Sequence, residues 1–248
     1  MKVTQSVLTK KGIISVFSFI LTFTINTASA QTDDTAKSII TDYQNRVGDF
    51  TPIYNGEVEP TYSPTFYKNT PYYISEEFSN GDIGYKGRRY FNLQMRLDLN
   101  RDQLITITPE GKYAMIVNKN GVEWAYVHGR KVINHTPAAK SGLKPGYYIE
   151  HFKGDRLSLL EKTVFTLNRS HAREIPSFDR RTRYYILMDG NYHQVSNRSS
   201  FTRLFPLLKK EIKSFSKEKG LDFKRHTESS LTQLASQCDM WIKQMNNQ

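Results

Sequence analysis

The chain has 248 residues, 35 Lys and Arg against 24 Asp and Glu, a formal charge of +11, and a hydrophobic share of 38% that includes 12% aromatics and one cysteine. This composition excludes a disordered tail, a disulfide scaffold and a polytopic membrane protein. The length allows one domain of above-average size, or two small ones, with a core that needs no metal or disulfide staple.

The first thirty residues read as an export signal. Lys2, Lys10 and Lys11 form a basic start, Gly12 to Ile25 is an uncharged apolar run, and Ala28-Ser29-Ala30 is a small-residue cleavage site before Gln31. The run is shorter than the ~20 residues of a membrane span, so an uncleaved anchor is the weaker reading and no transmembrane span is expected in the mature chain. No cysteine near the cleavage point offers a lipid attachment. The mature protein is expected in the periplasm, at the cell surface or secreted. Removing residues 1–30 leaves 218 residues (248 − 30) and 32 bases against 24 acids, a charge of +8.

Residues 31–248 are expected to form a single β-rich domain with a helical flank at about 198–246. Asp33 to Val47 opens with acids suited to a helix N-terminus, and Ala36, Ile39, Ile40, Tyr43 and Val47 follow a helical period. Residues 50–82 are interrupted by Pro52, Pro60, Pro64 and Pro71 and should be extended and loop-like. From Ile83 to about Ser196, short runs rich in β-branched and aromatic residues predict strands: Arg88–Leu99, Leu104–Thr108, Tyr113–Asn118, Glu123–Val127, Tyr147–Phe152, Leu157–Leu160, Val164–Leu167, Tyr184–Met188 and Tyr192–Val195. Lys86-Gly87, Asn100-Arg101-Asp102, Glu110-Gly111, Asn120-Gly121, His128-Gly129, Lys153-Gly154 and Asp189-Gly190 separate them, and Asn-Gly and Asp-Gly suit the positive φ angles of type I′ hairpin turns. The fold class expected is α+β, an antiparallel meander of eight or more strands curling into a sandwich or partly closed barrel.

Two helices close the chain. Phe201, Leu204, Phe205, Leu208, Ile212 and Phe215 keep a helical spacing, with Pro206 in a first turn and Gly220 ending it. Glu228 to about Met245 forms the second, with Thr227 as N-cap. Cys238 falls on the stripe Leu231, Leu234, Cys238, Trp241, Ile242, Met245 and reads as a buried, inert thiol.

Patterns for chemistry are few. Asp98, Asn100 and Asp102 have the first spacings of a calcium loop, which then fails at Gln103, where Gly is needed, and at Pro109, where Glu is needed, so a β-turn is favoured. His128, His135, His151, His171, His193 and His226 show no ligand spacing, and no metal or cofactor site is expected. Ala139-Lys140-Ser141-Gly142 matches neither a nucleophile elbow nor a S-x-x-K motif, and no phosphate-binding glycine loop occurs. Glu57, Glu59, Glu76 and Glu77 are the loop acids from which a carboxylate pair could be drawn.

Charge is more informative. Residues 169–225 hold 14 bases and 6 acids, an excess of +8 that equals the whole excess of the mature chain. Arg180, Arg181 and Arg183 belong to this stretch, and Lys209, Lys213 and Lys217 make an i, i+4, i+8 row that no acid relieves. These six are the candidate contacts for an anionic envelope component, a glycan or a protein partner; nucleic acid is not expected. The doublets Tyr72-Tyr73, Tyr147-Tyr148 and Tyr184-Tyr185 should each place one ring outward, making Tyr72, Tyr147 and Tyr184 candidate exposed aromatics.

Tyr54-Asn55-Gly56, the Pro71–Ile74 run, Gly84–Asp102 ending in Leu97-Asp98-Leu99-Asn100-Arg101-Asp102, and the closing Tyr184-Tyr185-Ile186, Asp189-Gly190, Ser199–Phe215 and Leu221-Asp222-Phe223-Lys224 resemble a family of exported Gram-negative bacterial proteins of unknown function. The resemblance spans nearly all the mature chain and implies export and a single domain; it implies no catalytic residue. Two functions stay open. The preferred one is a non-enzymatic binding module of the cell envelope. The alternative is a carboxylate-dependent hydrolase of an envelope or external polysaccharide.

Overall fold

The structure, a computed structural model, describes residues 28–48, 51–62, 66–136, 143–169 and 175–246. The expected export signal lies outside the described residues up to position 27, as do Pro64, Ala139-Lys140-Ser141-Gly142 and His171. Helix α1 (Ala28–Val47) is followed by ten strands: β1 (Ser79–Tyr85), β2 (Arg88–Asp98), β3 (Gln103–Ile107), β4 (Ala114–Ile116), β5 (Val122–Val127), β6 (Arg130–His135), β7 (Gly146–Lys153), β8 (Leu157–Asn168), β9 (Ser177–Met188) and β10 (Asn191–Val195). Helices α2 (Arg198–Leu204), α3 (Lys209–Glu218) and α4 (Thr227–Asn246) close the chain. The fold is α+β, and every strand pairing is antiparallel.

The spatial order is β10-β9-β8-β7-β6-β5-β1-β2-β3-β4, so two meanders join where β5 returns beside β1. Turn chemistry sets the hairpins. Lys86-Gly87, His128-Gly129 and Asp189-Gly190 all have positive φ at both residues, as type I′ turns demand. Asn120-Gly121 differs from expectation: it lies in a 3₁₀ turn, and β4 and β5 are not neighbours. A Cβ on Gly121 would stand 2.3 Å from the Tyr85 ring, so close packing rather than backbone freedom requires glycine there. The predicted runs 157–160 and 164–167 are one strand, β8, paired residue for residue with β9 over twelve positions.

The sheet curls until its β2–β3 turn meets β8: Phe165 donates its N–H to the Leu99 carbonyl at 3.2 Å, and Asn100 Nδ2 donates to the Phe165 carbonyl at 2.9 Å. The curl encloses one core, including Ile53, Ile83, Met95, Leu97, Leu104, Ala125, Val132, Tyr147 and Ile149. A second core joins Leu157, Leu159 and Ile186 to Phe201, Ile212, Leu231, Leu234 and Cys238, holding the helices against the sheet. Leu159 of the second core and Phe165 beside the first are an even number of residues apart on β8, so the two cores share a face, with Glu161 between them. On the other face Tyr148, Leu160 and Tyr185 form a third, small cluster.

The helical flank is more broken than its periodicity suggests. Asn197 caps α2, accepting from the Ser200 N–H at 3.0 Å while Ser200 Oγ accepts from the Asn197 N–H. Pro206 then starts a 3₁₀ turn, and α3 ends in a Schellman arrangement with Gly220 at φ +58°. Thr227 does not cap α4; its hydroxyl donates back to the Phe223 carbonyl at 2.8 Å. Cys238 is fully buried, and burial pushes its thiol up to about 12. No helix among the described residues is long and apolar enough to cross a membrane.

A candidate binding groove lined by aromatic side chains

The proline-interrupted segment before β1 is a strap anchored at three places. It runs beside β4, where Glu59 donates its N–H to Ala114 and Ile116 donates to Glu57, both at 2.8 Å. Gly56 permits that approach, because a Cβ there would lie 1.8 Å from the Ile116 carbonyl oxygen. Further on, Lys68 donates its N–H to the Pro176 carbonyl, and the Asn69 amide both donates to and accepts from the Phe178 backbone. Tyr72 bridges to Asp98, and Tyr73 donates its N–H to the Leu97 carbonyl at 2.8 Å. Between strap and sheet lies an open groove of about 720 Å³ lined by Glu59, Tyr62, Phe66, Tyr67, Tyr72 and Arg96, among others.

Arg96 organises the groove. Its guanidinium lies 4.2 Å from the centre of the Tyr72 ring and 4.4 Å from that of Phe78, a cation between two aromatic faces. Its Nη2 donates to Glu59 Oε2 at 2.5 Å and its Nη1 to the Glu76 carbonyl at 2.7 Å. Tyr72 donates its hydroxyl to the other Glu59 oxygen at 2.7 Å. Tyr62 packs edge-on against Tyr67, Tyr72 and Phe178, carries the Arg101 guanidinium 3.8 Å from its centre, and donates to Asp98 Oδ2 at 2.5 Å. Burial, then the Asp98 hydrogen bond, raises the Tyr62 phenol well above its usual range; burial and Glu59 do the same for Tyr72.

Two polar atoms of the groove wall, Tyr67 Oη and Arg96 Nε, are buried without a hydrogen-bond partner among the described residues. At the lip Phe66 is 76% exposed and Ile74 61% exposed. Ile74 also holds φ +65°, a conformation that strains a β-branched residue by about 1–3 kcal/mol.

Two acids beside the groove, Glu59 and Asp98, are committed internally, while Glu76 on its lining is exposed. Asp98 Oδ1 accepts from the N–H groups of Asn100 and Arg101 at 2.8 and 2.9 Å, an Asx turn, and Oδ2 accepts from Tyr62. Burial nevertheless raises the Asp98 carboxyl above its ordinary value. Both Glu59 oxygens are likewise occupied. Asp102, the third acid of the calcium-like spacing, turns to Lys119 and to Lys162, whose Nζ lies 2.9 Å from Oδ1. Burial alone would raise the Asp102 carboxyl, but the two ammonium groups outweigh it and hold it below its usual range.

A second polar cluster sits at the joint between the cores. His151, beside a register shift in β7, places Nε2 2.7 Å from Glu161 Oε2 and Nδ1 3.3 Å from Glu228 Oε1 at the start of α4. Sequence spacing could not reveal these three, which come from two strands and a helix. Their ligand atoms lie within 4.8 Å of one another, yet Arg130 stands 3.1 Å from Glu228 and Arg180 3.7 Å from Glu161. Those cations already balance both carboxylates, which disfavours a divalent ion. Thr163 donates to Glu161 Oε1 at 2.5 Å. Burial would raise the Glu161 carboxyl; the bonds from His151 and Thr163, with the His151 and Arg180 charges, bring it below its usual value.

The basic residues singled out by charge do not form one patch. Lys209, Lys213 and Lys217 are exposed on α3, on the side of the sheet carrying the helical core. Arg180 turns toward Glu161, whereas Arg181 and Arg183 are exposed and, by strand alternation, share the opposite face with Tyr185. The tyrosine expectation is corrected: Tyr147 is fully buried in the first core, Tyr72 is buried with its ring on the groove wall, and Tyr184 is half-buried 5.9 Å from the His151 ring. The alternation holds, as Tyr147 and Tyr148 fall in different clusters, but both faces of the sheet are covered there. Comparison with known protein families, curated proteins and solved structures finds no match for the chain.

Proposed function

We propose that the protein is an exported, non-enzymatic binding module of the cell envelope whose groove takes a segment of glycan. The observation that carries this reading is the pair of buried, unpartnered polar atoms, Tyr67 Oη and Arg96 Nε, in a wall made of tyrosine faces. Buried polar groups are nearly always paired, and each one left alone costs about 1–3 kcal/mol. A sugar offers C–H faces for the rings, and hydroxyls for the two polar atoms once the wall shifts to uncover them, since both are closed off from the groove as it stands. The exposure of Phe66 and the strain at Ile74 add nothing to folding and suit a contact made on binding. Export rests on the basic, apolar and small-residue order of residues 1–30 and on the resemblance to exported Gram-negative proteins.

Binding is favoured over hydrolysis because Glu59 and Asp98 have both oxygens engaged, which leaves Glu76 as the one uncommitted carboxylate on the groove lining among the described residues, whereas glycoside hydrolysis needs a pair. The test is calorimetric titration of the mature chain, from Gln31, with soluble peptidoglycan fragments and neutral oligosaccharides, while following reducing-end release. Saturable binding without cleavage, abolished by Phe66→Ala with Tyr67→Ala, is expected. Release of reducing ends that Glu59→Gln stops would establish the hydrolase instead.

A further inference from the structure

The helical flank holds a second cavity, separate from the groove. It is a cleft of about 450 Å³ between α2 and α3, with Arg198, Ser199, Thr202 and Lys213 at its rim and Leu221 and Phe223 in its wall. Leu221 and Phe223 pack against the helical core, so the wall is fixed. None of the residues lining it is acidic. Arg198 and Lys213 are exposed and form no ion pair among the described residues.

Asp222, between the wall residues Leu221 and Phe223 in sequence, is engaged by the residues that follow it. Its Oδ1 accepts from the N–H groups of Lys224 and Arg225 at 2.9 and 3.0 Å, and its Oδ2 lies 3.9 Å from Arg225 Nε. One turn to either side of Lys213 stand Lys209 and Lys217, so bases outnumber the acids Glu211 and Glu218 along α3. The row of like charges disfavours the helix slightly, by about 0.2–0.5 kcal/mol per pair, and an anion between them would relieve it.

We infer that this cleft binds a phosphate-class oxyanion. Arg198 brings a planar fork suited to two oxygens of one tetrahedral group, Lys213 a point charge for a third, and Ser199 a hydroxyl donor. An apolar wall beside a cationic rim suits a phosphate carried on a larger molecule. Leu207 is 80% exposed in the 3₁₀ turn leading into α3, an apolar side chain open to solvent near the start of the lysine-bearing helix. The same chemistry could be presented by an anionic lipid headgroup or by a soluble phosphate, and the experiment separates the two.

Amide chemical shifts of the mature chain are followed during titration with inorganic phosphate, and sedimentation is measured with phosphatidylglycerol vesicles and with phosphatidylcholine vesicles. The variants are Arg198→Gln, Lys213→Gln and Lys210→Gln, the last removing the same charge from α3 outside the cleft. Saturable phosphate shifts confined to residues 197–202, 213 and 221–223, or binding to phosphatidylglycerol but not phosphatidylcholine, is expected. Arg198→Gln and Lys213→Gln should each weaken it roughly tenfold, the value of one charge-assisted hydrogen bond, and Lys210→Gln less than about threefold. Response to vesicles alone assigns a lipid headgroup; response to both probes assigns the phosphate group itself. Loss of the same size in all three variants, or no saturable response to either probe, overturns the inference. Unchanged melting temperatures of these exposed substitutions exclude misfolding as the cause.

Discussion

Asp239 shows how much one side chain can hold. It projects from α4 and accepts from the N–H groups of Asp155, Arg156 and Leu157 at 3.1, 2.8 and 2.9 Å, tying the β7–β8 turn to the helical flank. A Cβ on Gly154 would lie 2.3 Å from its carboxyl carbon, so the turn is shaped around this acid. Asp239→Ala should lower unfolding free energy by about 2 kcal/mol, because Leu157 loses a buried partner while the two exposed turn amides regain water; urea melts check it. At the same scale Glu161 and Asp102 set the response to acid. Both carboxyls are held below their unfolded values, so each contributes stability above about pH 4 that disappears as pH falls through the folded value. Asp98, raised by burial, acts with the opposite sign and is relieved in acid. The melting temperature should stay level from neutrality to about pH 5 and then fall, with a shallower fall in Glu161→Gln and Asp102→Asn; an unchanged fall in both would contradict this assignment. None of these roles is legible in the sequence, where Asp239 is only a polar interruption in an apolar stripe.

Elements were legible where local chemistry acts alone. Three residue pairs with positive φ mark their hairpins in the sequence, and the apolar stripe of α4 reads directly as its buried face. Elements that depend on a neighbour were not. The first half of β9, Ser-Phe-Asp-Arg-Arg-Thr-Arg, carries no strand signal of its own and is a strand because β8 pairs with it along its whole length. The flank reads as one helix because the period runs through Pro206, yet the missing N–H and the Asn197 cap make two. Asn197→Ala should cost about 1 kcal/mol through the lost cap, read from thermal melts. Helix α1 is described from Ala28, so cleavage after Ala30 would remove its residues 28–30. Intact-mass measurement of protein recovered from a periplasmic fraction should give a chain starting at Gln31; a mass retaining Met1 would contradict export by this signal.

For the whole molecule, the curl of the sheet makes the candidate site. It brings Arg96 of β2 and Phe178 of β9 to one strap, and with them Glu59, Tyr62 and Tyr67. Strand alternation singles out Tyr72 as an outward ring, whereas the strap and Arg96 bury it on the groove wall. Its partners are not legible in the sequence, because a guanidinium held between Tyr72 and Phe78 is a product of folding rather than of spacing. The concentrated basic charge was equally visible, but folding divides it between two sides of the sheet, leaving only the α3 row and its cleft as a local feature.

The central claim is that Tyr67 Oη is kept for a ligand rather than for the fold, and Tyr67→Phe tests it most directly. Melting temperature and affinity for soluble peptidoglycan fragments or neutral oligosaccharides are measured together on the mature chain. Removing an unpartnered buried hydroxyl should leave stability unchanged or raise it by about 1 kcal/mol while weakening binding roughly tenfold. A variant that melts lower and binds as tightly as the parent would contradict the account.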